Sequence, residues 1–206
     1  MRLVISNKPL GRPPRRPNEK KVTEMDPLTR MVEHHIWMTG EMIVRAASLT
    51  DEQLDAPLGI SDDDKTLRRM LSRLVGQLDL WNRAISGEVY DFSVEHDEDV
   101  AGMRERFAEV APRFLAEVHE VVAEGRLDET FTTTMREPAK TYTYAAMIEH
   151  VLTFSAHNRT LVLVSLKKAG VRDLDLCISE AVGTECDGGP VNASWNQITR
   201  HRNREA

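Results

Sequence analysis

Apolar residues recur at intervals of three and four through four long stretches of this chain, with polar residues between them. The first stretch opens at Asp26-Pro27, a capping side chain followed by proline at the first helical position. Leu28, Met31, Val32, His35, Met38, Met42 and Ala46 then form one stripe, which predicts a helix over residues 27–48. In "TDEQLDAP", Thr50 with Gln53 three residues on is a capping-box pattern that predicts a short helix, ended by Pro57 and Gly59. Leu67, Met70, Leu71, Leu74, Leu78, Trp81 and Ile85 mark a second long helix over 66–86, closed by Gly87. Val100, Met103, Phe107, Val110, Phe114 and Val118 mark a third over 97–124, with a kink expected at Pro112 and a stop at Gly125. Residues 126–140 are less regular. Their "TFTTT" is β-prone but short and polar, so an extended loop is expected there. A fourth helix, predicted over 143–169 with Gly170 as its cap, turns Met147, Val151, Phe154, Leu161 and Ser165 inward. The last 36 residues show weak periodicity. Four amphipathic segments with modest connections predict an all-α chain, a four-helix bundle.

Length and charge refine this picture. A chain of 206 residues, 41% hydrophobic and 29% charged, fits one globular domain. No uncharged apolar run reaches the ~20 residues a membrane span needs, and the N-terminus lacks the apolar centre of a secretory signal. Cys177 and Cys186 make no disulfide framework and no paired-cysteine metal motif, so the expectation is a reduced, cytoplasmic protein. The sequon at Asn192-Ala193-Ser194 then carries no meaning. Residues 1–21 hold seven basic side chains against Glu19 alone, a net +6; the whole chain is −6, so the remainder carries −12. An acidic body argues against nucleic-acid binding, apart from contacts the basic head makes. That head, "KPLGRPPRRPNEKK", is rich in proline and poor in large apolar groups, which predicts a flexible extension over residues 1–25. No glycine-rich phosphate loop and no Gly-x-Ser-x-Gly nucleophile elbow occurs.

The chemistry concentrates in "HVLTFSAHNR", residues 150–159, where His150, His157 and Asn158 lie on or beside the inward face of the fourth helix. Inward polar groups are hydrogen-bonded, or they do chemistry. His150 and His157 are seven residues apart, about 10.5 Å along a helix, whereas zinc needs nitrogens within about 2.1 Å. They would have to stretch toward one another, with His35 as a third ligand and no well-spaced carboxylate or cysteine to help.

Three segments, "HHIWMTGEMIVRAASLTDEQLDAP", "TLRRMLSRLVGQLDLWNRAISGE" and "HVLTFSAHNRTLVLVSLKKAGV", together resemble the DinB/YfiT-like superfamily over roughly residues 26–175. The resemblance implies a four-helix bundle, commonly dimeric. It also implies a divalent metal held by three histidines, in a family whose members include transferases that use small thiols. One family histidine lies on the second helix, eight residues before a tryptophan. The other two lie four apart on the last long helix, the second followed by arginine. With Trp81 as the tryptophan and Arg159 as the arginine, the three positions are Arg73, Phe154 and Asn158, and none is histidine. Arginine is charged and donor-only, phenylalanine has no lone pair, and an amide is a poor soft-metal ligand. The resemblance therefore implies the family fold with a degenerate metal position and no metal cofactor.

Three functions remain open at this level. The first is a metal-free binding protein or inactive relative whose Arg73, Phe154 and Asn158 form a pocket for a small anion such as a carboxylate. In a plainer version Arg73 only pairs with a nearby acid, Glu149 or Asp79. The second is a metal-dependent transferase or hydrolase using a displaced site of His35, His150 and His157. The third is a structural or regulatory homodimer. Residues 176–206 are expected to be an irregular C-terminal segment.

Overall fold

The computed structural model describes residues 26–59, 65–135, 138–172 and 174. The basic extension and the C-terminal segment, with both cysteines, lie outside the described residues. Within them the chain is mostly helical: α1 (Pro27–Ala46), α2 (Asp51–Asp55), α3 (Leu67–Ser86), α4 (Val94–Asp97), α5 (Val100–Ala123), the strands β1 (Thr130–Thr133) and β2 (Lys140–Thr143), and α6 (Tyr144–Lys168). The four long helices match the four periodic stretches to within three residues at every end. No described helix is long and apolar enough to cross a membrane.

The local signals act as capping chemistry requires. Asp26 accepts from the backbone of Leu28 at 2.8 Å, with Pro27 in the first turn. Thr50 and Gln53 form both halves of a capping box. Asp99 and Thr143 cap α5 and α6 by accepting from Gly102 and Ala146. Gly87 ends α3 at φ 71°, a left-handed conformation that glycine adopts without strain.

Around the core the long helices run in the order α1, α5, α3, α6 and back to α1, each packed on its two neighbours. Val32, Ile36, Leu71, Leu74, Leu78, Phe114, Met147, Ile148 and Val151 meet at the centre, nearly all fully buried. Removing this apolar surface from water is the main stabilising term.

Two expectations need correction. Residues 130–133 and 140–143 are a two-stranded antiparallel hairpin rather than a loop, with Phe131 opposite Tyr142 and Thr133 opposite Lys140. Its polar strands are held by pairing and by packing of β1 on α3, which period-two patterning over four residues does not reveal. Finally, the buried face of α6 passes through Ile148, Ser155 and Val162, leaving Phe154 and Leu161 only partly covered. On α1, Met31 is exposed for the same reason: its neighbour Val32 takes the inward position.

Candidate functional site

Arg73 sits on the second turn of α3, half-buried, where an apolar stripe gives way to polar positions. One guanidinium nitrogen, Nη1, donates to both carboxylate oxygens of Glu95, at 2.8 and 3.0 Å. The plainer reading thus holds in kind but with a different acid, because Glu95 comes from α4, 22 residues on. Asp79 instead accepts from Arg83 at 2.9 Å. The guanidinium is also stacked between two phenyl rings, its central carbon 5.7 Å from the centroids of Phe92 and Phe154. Arginine carries five N–H donors, so several remain for a ligand after Glu95 is served.

Beside Arg73 lies a cavity of about 210 Å³. Helix α3 supplies Arg73, Gln77, Leu80 and Trp81, the hairpin region Thr133, Met135, Lys140 and Tyr142, α6 His150, and the loop before α4 Phe92. Two of these residues are cations and none is a carboxylate. Trp81 is the hub of the aromatic wall. It meets Tyr142 edge-on at 5.4 Å and His150 at 5.9 Å, and His150 stacks on Phe154 at 5.5 Å. Two deeply buried polar atoms of the lining residues, Gln77 Oε1 and Trp81 Nε1, have no hydrogen-bond partner. Such atoms are costly to bury unmatched, and both are closed to solvent, so neither opens into the cavity.

Behind Arg73 a polar cluster fixes α4 and its flanking loops to the long helices. Tyr90 Oη donates to Glu95 Oε1 at 2.7 Å. Burial, then this contact with Glu95, pushes the Tyr90 phenol well above its ordinary range. Arg106 on α5 grips Glu98 with two donors, at 2.8 and 2.6 Å, and reaches Ser72 Oγ at 3.0 Å, which itself donates to Glu98. Gly76 makes this possible. A Cβ there would lie 2.6 Å from Tyr90 Oη and closer still to Glu95 Oε1.

The remaining sequence-derived residues divide. His150 joins Arg73 in lining the cavity, and Phe154 packs against both from outside the lining. Asn158 lies one turn beyond Phe154, donates to the Phe154 carbonyl at 2.9 Å and does not line the cavity. His157 is exposed, one residue around the helix from the face it was expected to share. His35 lies elsewhere, fully buried between α1 and α6, where the Arg159 guanidinium donates to its Nδ1. Burial first, then the Arg159 charge, then His34, lowers its pKa to about 3. His35 is therefore neutral with its proton on Nε2, and that atom has no partner. Desolvation also lowers the Arg159 pKa.

Neither metal arrangement fits these residues. At the positions the resemblance implies, Arg73 is a permanent donor bound to Glu95, Phe154 has no lone pair, and Asn158 offers only an amide oxygen, a poor soft-metal ligand. Among the described residues no three histidine, cysteine, aspartate or glutamate side chains are placed to share an ion, so His35, His150 and His157 do not converge. Glu95, Gln77, Lys140 and Tyr142 were missed in sequence. Lys140 and Tyr142 reach the cavity from the hairpin and Glu95 reaches Arg73 from α4, contacts that no local spacing encodes, whereas Gln77 lies one turn from both Arg73 and Trp81 on α3 and is open to helical spacing. Comparison of the chain with family models, with curated proteins and with solved structures returns no significant match, and the functional reading therefore rests on the residues themselves.

Proposed function

We propose that this chain is a DinB-like helical bundle that has exchanged metal chemistry for metal-free binding of a small organic anion in the cavity beside Arg73. The observation that carries the reading is the lining: two cations, Arg73 and Lys140, against aromatic walls, with no carboxylate among the lining residues. Glu95 neutralises much of the Arg73 charge. Attraction of an anion therefore falls to Lys140, exposed on β2, and to the N–H groups of Arg73 that Glu95 leaves free. The cavity is smaller than drug-sized pockets, which span about 300–1,000 Å³, so the ligand is small.

Benzoate and its uncharged counterpart benzamide test this by isothermal titration calorimetry. Benzoate should bind, benzamide should bind at least about tenfold more weakly, and Lys140→Met should reduce benzoate binding about fivefold, a little under 1 kcal/mol. Equal binding of the two compounds, or no binding of either, would refute the proposal. The resemblance itself has a separate test. If Arg73, Phe154 and Asn158 hold the family's ligand positions, changing all three to histidine should create a zinc site, read by equilibrium dialysis. A triple variant that folds and binds no zinc would count against the kinship.

A further inference from the structure

The small-anion reading leaves open how much negative charge the ligand brings. We infer, resting on that reading, that the ligand is a monoanion, and that Glu95, outside the cavity wall, sets this limit by its charge.

The geometry of the pair comes first. Both oxygens of Glu95 accept from a single nitrogen of Arg73, Nη1, at 2.8 and 3.0 Å. Glu95 thus leaves the Nη2 and Nε donors of the guanidinium free. Arg73 lines the cavity and Glu95 does not. A ligand therefore touches the cation and feels the acid only through space. Glu95 is also held in place, because Tyr90 Oη donates to its Oε1 at 2.7 Å. Its side chain is only 12% exposed, so little water screens the charge it sets beside Arg73.

The balance of charge follows. Arg73 and Lys140 are the two lining cations, and no lining residue is a carboxylate. Glu95 offsets one of the two. The other nearby acids are already matched: Arg106 grips Glu98 at 2.6 Å, and Asp79 accepts from Arg83 at 2.9 Å. Arg69, one turn before Arg73 on α3, is exposed and turned to His96 Nε2 at 3.4 Å, where solvent screens it. Two lining charges less that of Glu95 leave one unit, which a single carboxylate or sulfonate balances. A second negative charge on the ligand has no cation left to meet. Taking it out of water unmatched is costly, and Glu95 repels it as well.

The experiment measures benzenesulfonate and phenylphosphonate on the full chain by calorimetry at about pH 8.5, with benzoate alongside. The two share a ring and a tetrahedral head, but at this pH the phosphonate, like a phosphate group, carries close to two charges and the sulfonate one. In the wild type benzenesulfonate should bind more tightly than phenylphosphonate. Coulomb energy is linear in charge, so the factor gained by removing the Glu95 charge is squared for the dianion. In Glu95→Gln, which keeps the shape and an acceptor for Arg73, benzenesulfonate should gain about fourfold and phenylphosphonate about fifteenfold. A displaced Arg73 would move both ligands alike, so equal changes, or none, in a folded Glu95→Gln protein would overturn the role of Glu95. Equal or tighter binding of phenylphosphonate by the wild type, or failure of benzenesulfonate to bind where benzoate does, would overturn the monoanion limit and leave the small-anion reading standing. If none of the three binds, both fall. The wild-type comparison decides the question even where the variant fails to fold.

Discussion

Acidification should destabilise this protein through one buried imidazole. His35 is fully buried, accepts from Arg159 at Nδ1 and keeps its Nε2 proton unmatched. Its folded pKa is about 3, against an ordinary 6.5 when the chain is unfolded. Between these values the unfolded chain binds a proton at this residue and the folded chain does not, so stability falls as pH falls from above 6.5 toward 3. At pH 8 neither state is protonated and the effect is negligible. At pH 5.5 the unfolded imidazole is about 90% protonated and the folded one almost not at all, which amounts to about 1.4 kcal/mol of lost stability. His34, lowered in the same direction by partial burial and by Arg159, acts in the same sense.

The test is urea unfolding followed by circular dichroism at about pH 8 and pH 5.5, on the wild type and on His35→Asn. Asparagine keeps an acceptor near the Nδ1 position, so Arg159 is not left without a partner. The variant should be less stable at pH 8, because it loses packing. The fall between the two pH values should nevertheless be smaller in the variant by about 1.4 kcal/mol. Carboxylates elsewhere titrate in both proteins and cancel in this difference. Equal falls, within about 0.5 kcal/mol, would show that His35 protonates in place and that the neutral buried state is wrong.

Other substitutions test the cluster behind Arg73. Gly76→Ala should destabilise by about 1–3 kcal/mol despite the higher helix propensity of alanine, because the new Cβ displaces Glu95 and Tyr90 from their shared hydrogen bond; an equal or raised melting temperature would refute the close approach. Arg106→Met should cost about 3–5 kcal/mol in denaturant unfolding, as expected when one partner of a buried ion pair is removed, since Glu98 is then left with Ser72 alone. Gly87→Ala, at a left-handed position with open space around it, should cost about 1 kcal/mol by thermal melting, through backbone strain alone.

What the sequence makes legible here follows from the range of each interaction. Caps and stripes are local, so Asp26, Thr50, Gly87 and the four long helices can be read from residues within a few positions of each other. The hairpin cannot, because each strand is four residues long and gains its stability from pairing across the turn and from α3. The site lies between these cases. Arg73, Phe154 and His150 were found because helical spacing and a resemblance pointed at them, and the fold does bring all three together. The pairing of Arg73 was not legible, since its partner acid, Glu95, stands on a helix of four residues with no periodicity to announce it. One consequence decides how the cavity works. A lone Arg73 would be a strong anion trap with little selectivity among anions. Stacked between Phe92 and Phe154 and paired with Glu95, which the absence of a side chain at Gly76 lets approach α3, it is a fixed and largely neutralised donor edge. Binding then depends on shape and on the matching of individual hydrogen bonds more than on net charge. Raising the salt concentration should therefore weaken benzoate binding only modestly, through the exposed Lys140.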